Sequence, residues 1–399
     1  MDFDFPADSD PRRLEVRAWI KDHPKPTARE LLDSGYEVPH WPRPYGLSAD
    51  PELQLIIDEE LEKAGIKRFG GLVAHNNCGP SLLTHGTAEA KARYLDKGLM
   101  GEERWCQLFS EPSGGSDLAA LRTTATREGD EYVIRGQKIW TSGAHECDIG
   151  FIVVRTDSHA AKHAGLSSLI VPLKNYPGVT IRTINDMSGR EGHFNEVFFD
   201  DVRVPASYLL GQEGDGWRLT MQMLQSERLM IARVGNGPSA RTLVQGLRKI
   251  GKLKEPGYRD EAAKLYVEGE MIRLLQLRNL SDQLNARRPG PEAAAMKMLG
   301  APHIQKVLEF AKRVHGQAGL VEAAEWYPEA NTSDDSHGFA RDWDHGYWFS
   351  PAMTLMVGTQ EIMRNVIGER VLGLPRELDP SAKGDWSEMS KKARAAAAA

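Results

Sequence analysis

The chain has 399 residues, 27% of them charged and 41% hydrophobic, with a formal net charge of -6. That length suits two or three domains with ordinary cores, and the composition excludes disordered and fibrous classes. The acidic balance gives a nucleic-acid partner no support, no apolar run approaches the roughly 18 residues of a membrane span, and the acidic start MDFDFPADSD lacks an export signal, so a cytoplasmic protein is expected. From about residue 10 to 104 the pattern is helical. ELQLIIDEELEKAG places Leu53, Ile56, Ile57, Leu61 and Ala64 on one stripe, with Gly65 able to end it in a left-handed cap. A Gly- and Asn-rich loop follows from Gly70 to Pro80, and KARYLDKGL then reads as a short helix.

From about 105 to 205 the period becomes two. EYVIRGQKIW, DIGFIVVRTD, SSLIVPL, VTIRTI and NEVFFDDVRV read as strands, with turn signals such as Glu128-Gly129-Asp130 between them. After Gly211 helices return. One is expected from Trp217 through ERLMIARV towards Gly251, and one from about Arg259 to Arg288, ended by Pro289-Gly290. Pro291 can open the third, and the last, TQEIMRNVIGERVLG, closes at Gly373. The expected class is therefore α+β, mostly α. An N-terminal helical domain spans 1–104, a central β-barrel or sandwich 105–210, and a C-terminal four-helix bundle 211–380. The tail 381–399, ending in KKARAAAAA, is low in complexity and is expected to be flexible.

Three cysteines, Cys78, Cys106 and Cys147, are odd in number and lack zinc spacing, so free thiols in a reducing compartment are expected. His159 and His163 are four apart, but the polar stretch around them favours solvated loop histidines over a metal pair, and no metal site is expected.

Two stretches carry chemistry. FSEPSGGSD, Phe109 to Asp117, gathers small residues that let backbone amides and the hydroxyls of Ser110 and Ser116 approach a ligand, although an ordinary loop has the same composition. KIWTSG, Lys138 to Gly143, sets the ring of Trp140 beside the hydroxyls of Thr141 and Ser142, although a strand tryptophan is also a common core residue. One hairpin-like stretch separates the two, and together they suit a planar cofactor.

The run WCQLFSEPSGGSD…GQKIWTSG resembles the acyl-CoA dehydrogenase flavoprotein family, as do EVFFDDVRVP, GDGW and VGTQEIMRNVIGERVLGLPRE in order downstream. The resemblance implies FAD held between the β-domain and the bundle, usually across a subunit interface in a tetramer. It places Gln107, Leu108, Ser110, Gly115 and Ser116 along the flavin, with Ser116 also meeting substrate. It packs Trp140 against the isoalloxazine, puts Thr141 or Ser142 near the reactive nitrogen, and matches Thr359 and Glu361 to cofactor contacts. The implied reaction takes an acyl-CoA to its 2,3-enoyl-CoA, a base removing the α proton and hydride passing to FAD, with an electron-transfer flavoprotein as acceptor.

The chain also departs from the family pattern. Many members carry the base as a Glu just before the Gly-Thr of the last helix, where this chain has Val357, whose backbone N–H can still polarise the thioester carbonyl. A second family arrangement puts the base one residue before an Arg on the long bundle helix, which makes Glu227 the candidate base and Arg228 its electrostatic neighbour. A surface ion pair has the same sequence appearance. LRKIGKLKEPGYRDEAAK lacks the family's Arg-x-x-Phe-Gly, and RVHGQAGL keeps only Gly316 and Gly319 of its glycine-rich stretch. These changes lean towards relatives among steroid side-chain degraders that pair two unlike chains. A homo- or hetero-oligomer, dimer or tetramer, is expected, and a non-catalytic partner subunit and a flavin oxidase are the alternatives. Tyr347, Trp348 and Phe349 are expected in core or interface, and GLVAHNNCGP can border the acyl pocket.

Overall fold

The computed structural model describes residues 6–187, 193–231, 239–284, 290, 294–314, 316–317, 343–376 and 384–398, with the backbone alone over 225–231, 280–281, 283–284, 344–345, 393–394 and 396–398. The N-terminal part is helical: α1 Pro11–Asp22, α2 Ala28–Ser34, α3 Pro51–Lys63, α4 Cys78–His85 and α5 Ala88–Leu99, with a π-helical turn at Val73–Asn77 before α4. Local chemistry starts these helices. Asp10 and Asp50 accept from the Arg12 and Leu53 amides just before a first-turn proline, and Thr27 with Glu30 forms a capping box.

Eight strands follow: β1 Trp105–Leu108, β2 Thr124–Glu128, β3 Glu131–Ser142, β4 Ile149–Arg155, β5 Leu166–Pro172, β6 Val179–Ile184, β7 Phe194–Pro205 and β8 Leu209–Leu210. They form one sheet in the order β6-β7-β3-β2-β4-β5-β8, and β1 lies parallel to β4. Tyr132, Ile134, Ile152, Val154, Leu169, Val197 and Phe199 meet in one core, so the sheet curls on itself as a barrel does and is not a pair of facing sheets. The alternate residues of β4 and β5, Phe151, Val153 and Ile170, face the other way and pack with Leu82, Tyr94, Leu95 and Leu99 of the helical part. Burial on both faces explains why β4 reads as an unbroken apolar run.

The C-terminal helices are α6 Gly216–Ile231, α7 Ala240–Lys249, α8 Pro256–Leu284, α9 Ala294–Val314, α10 Trp343–Phe349 and α11 Gln360–Arg370. Leu243, Leu247, Leu265, Val307, Phe310 and Trp343 form their shared core. The single helix expected from Trp217 to Gly251 is corrected here. Ser239 accepts from the Thr242 amide and Thr242 answers with its hydroxyl, so α7 has its own N-terminus.

The tail is also corrected. Trp386–Ala398 forms α12, and the tryptophan at its start is buried, with the Arg155 guanidinium 4.6 Å above the ring. Asp385 accepts from Ser387 N and lies 2.9 Å from His159 Nδ1, and Ser387 N donates to Ser158 O. His159 therefore serves the tail, while His163 packs against Trp217, and the two do not converge. Trp386→Ala is expected to cost about 2 kcal/mol and to expose residues 384–398 to protease. Limited proteolysis and a melting curve check this; an unchanged cleavage pattern contradicts it.

Candidate active site

The two stretches singled out in the sequence lie against each other. Ile139 N donates to Ser110 O at 2.9 Å, and Lys138 Nζ donates to Phe109 O at 3.1 Å and to Glu111 Oε1 at 2.8 Å. Glu111 also accepts from the amides of Arg122, at 2.6 Å, and Thr123, at 3.0 Å. Burial pushes the Glu111 carboxyl up, and the Lys138 charge with these hydrogen bonds more than reverses it, leaving it below the usual value. Burial also lowers Lys138, against the pull of Glu111. The sequence analysis missed this pair. The available signal was Lys138 at the inward parity set by Tyr132 and Ile134.

The pairing of β3 with β7 shifts register between Lys138 and Thr141. Trp140 occupies that bulge at φ +60°, which is rare for a bulky residue, and its indole is 56% exposed. Thr141 turns inward and is buried, and Ser142 is exposed. Phe194 meets Trp140 edge-on at 5.7 Å and stacks on Phe349 at 5.9 Å, so the aromatic segment before the last helix reaches the β-domain beside Trp140. Phe349 is buried, Trp348 is exposed, and Lys312 lies over the Tyr347 ring.

Gln107 sits on β1 beside this arrangement. Its Nε2 and Thr141 Oγ1 are both buried without a hydrogen-bond partner. Such an atom costs about 1–3 kcal/mol if nothing meets it. Gly115 and Ser116 are exposed, and a side chain added at Gly115 would meet nothing within 4 Å, so no internal packing needs that glycine. Leu108 is different: its side chain is fully buried in the sheet core against Gly150, which leaves only its peptide for a ligand.

The π-helical turn Val73–Asn77 packs against α6 and β1. It buries His75 against Glu37 at 2.8 Å, and Asn77 Oδ1 is buried without a partner. Glu227 and Arg228 fall in the last turns of α6, where the side chains lie outside the described residues. Thr359 caps α11 by accepting from Ile362 N, and Glu361 stands exposed in its first turn near Arg364. Gly316 has φ +55°, and Gly319 lies outside the described residues.

Val357 has φ +55° and precedes Gly358 at +91°. A β-branched residue in the left-handed region is strained. Val357→Gly is expected to stabilise the fold by about 1 kcal/mol, raising the melting temperature by about one degree. A lower melting temperature contradicts the strain.

All three cysteines are buried, and none forms a disulfide among the described residues. Among the described residues no group of three or more His, Cys, Asp or Glu could hold a metal, and no helix is long and apolar enough to cross a membrane.

Comparison with known proteins finds one family across residues 8–372. Residues 8–102 match the acyl-CoA dehydrogenase N-terminal domain, 106–202 the middle domain and 214–372 the C-terminal domain. Acyl-CoA dehydrogenase IpdE1 of Mycolicibacterium smegmatis is 36% identical over 377 residues, covering 91% of this chain and 89% of that protein. Acyl-CoA dehydrogenase FadE34 of Mycobacterium tuberculosis is 36% identical over 350 residues, 87% of this chain, which spans only 46% of that longer protein. A solved structure described as the Tcur3481-Tcur3483 steroid ACAD superposes with a TM-score of 0.75 at 28% identity, covering 94% of this chain and 100% of that one.

Proposed function

The chain belongs to the acyl-CoA dehydrogenase family of FAD-dependent oxidoreductases, and on that premise we propose that it converts an acyl-CoA thioester to its 2,3-enoyl-CoA. The observation that carries the reading is the pair of buried, unpartnered atoms Gln107 Nε2 and Thr141 Oγ1 near an outward-facing indole at Trp140. A flat ring with donors and acceptors on its edge can stack on the outward indole and bring hydrogen-bonding partners to the polar groups of the two stretches around it. These residues therefore fit the flavin of FAD, with Ser110, Ser142 and the open backbone at Gly115 and Ser116 as further contacts. Bound there, FAD supplies the acceptor for the β hydrogen as hydride.

The chain's own residues supply the rest. Glu227 takes the proton from the α carbon, and Arg228 adjusts its charge. Ser116 meets the substrate. Val357 holds no proton, but the left-handed turn at 357–358 presents backbone N–H groups to the thioester oxygen, where charge develops as the proton leaves. Gly316, Gly319, Thr359 and Glu361 complete the cofactor contacts. Electrons leave to an electron-transfer flavoprotein. The acyl group is steroid-derived, a reading supported by the neighbour described as a steroid ACAD, whose name joins two chains and supports an oligomer of like or unlike subunits.

The test is to purify the chain, count released flavin per chain, and mass the product formed with acyl-CoA thioesters. A product lighter by two hydrogens supports the reading. Val357 in place of the usual carboxylate favours one second reading, a partner subunit that supports another chain's active site. A chain that binds no FAD alone, yet restores activity to an unlike subunit, decides for it.

A further inference from the structure

The proposed chemistry makes no use of the most deeply buried charges beside it. Lys138 has no exposed side-chain surface, and Glu111 has 4%. A buried pair of this kind is often no more stabilising than apolar side chains of equal volume, so cohesion alone does not explain it. Its placement does. Glu111 lies in the loop that carries Ser110, and Lys138 is the last residue of β3 in regular register before the bulge that turns Trp140 outward and Thr141 inward. In a strand, a slip of one residue exchanges the two faces. An inward Lys138 tied to Glu111 forbids that slip, because it would pull the ammonium off the Glu111 carboxylate and off Phe109 O. Glu111 is itself fixed by the Arg122 and Thr123 amides, and its backbone exchanges two hydrogen bonds with Gly114.

We propose that Glu111 and Lys138 are positioning residues that set the phase of the β3 bulge, and with it the stance of Ser110, Trp140 and Thr141 towards the flavin. The inference rests on the flavin reading above and adds to it a pair that need not touch cofactor or substrate.

The test compares the wild-type protein, with any partner chain it requires, against Glu111→Asp and the double variant Lys138→Met with Glu111→Leu. FAD affinity, the visible circular dichroism of bound flavin and the melting temperature are measured on each. Glu111→Asp keeps the charge but shortens its reach, and is expected to fold, to bind FAD several-fold more weakly and to change the flavin dichroism. The double variant removes both charges together. It is expected to melt close to the wild type while binding FAD at least tenfold more weakly. Wild-type affinity and dichroism in Glu111→Asp would overturn the proposal, as would their recovery in the double variant. Absence of FAD from the wild-type protein in every assembly would instead overturn the flavin reading.

Discussion

Glu227→Gln is expected to keep its FAD and to lose turnover by about 10² to 10⁴-fold, the range a positioned general base contributes. The amide matches the carboxylate in size, so folding and cofactor binding should survive, and the loss should fall on kcat. Val357 occupies the position where many family members carry the base, and it has no group to accept a proton. Glu227 lies on α6, the helix against which the π-helical turn Val73–Asn77 packs, and that turn also packs on β1, which carries Gln107. A steady-state assay with flavin quantified in the same sample checks it. Retention of most of the turnover would remove Glu227 from the mechanism.

The largest stability effect is expected from Glu60. It is 5% exposed and accepts from Arg13 at 2.6 Å, from Arg17 at 2.7 and 3.0 Å and from Lys63 at 3.2 Å. Arg13 is itself buried, and Glu60→Ala would leave it with Glu59 as its one remaining carboxylate among the described residues. Removing one partner of a buried charge in this way costs about 3 kcal/mol, which for a chain of this length is roughly 4 °C in melting temperature. The hydrogen bond from Arg17 is the chief cause that holds the Glu60 carboxyl at about 2, well below its ordinary 4.5. The folded state thus favours the ionised form. Its contribution is fully present above the unfolded pKa and is lost as pH falls from about 4.5 towards 2. Melting of the wild type and Glu60→Gln should therefore differ most near neutral pH and converge towards pH 2. An equal difference at both pH values would contradict the assignment.

The order of helices, strands and helices was legible in the sequence because the apolar period changes from near 3.6 to 2 and back. The meeting of FSEPSGGSD with KIWTSG was legible only as two stretches with compatible chemistry. The hydrogen bond from Ile139 to Ser110 that joins them is set by strand register, which local composition does not encode. Leu108 shows the same limit, because its neighbour Gln107 carries the unpartnered amide while Leu108 turns into the core. Its alternation with Gln107 was visible, but not which face is inward. The break before α7 was written in Ser239 and Thr242 and was outweighed by the helix-favouring residues on either side. The tail hid its docking because an alanine-rich run has no apolar face to read, and a single aromatic, Trp386, makes the attachment over Arg155.

Wild-type protein and Glu227→Gln, both carrying FAD, are mixed anaerobically with acyl-CoA thioesters, including steroid-derived ones, while the visible flavin absorbance is followed. The account predicts that at least one thioester bleaches the wild-type flavin within a turnover and leaves the variant's flavin oxidised over the same interval. Bleaching of both at equal rates would contradict Glu227 as the base. A wild-type flavin that no acyl-CoA reduces would contradict the proposed reaction itself.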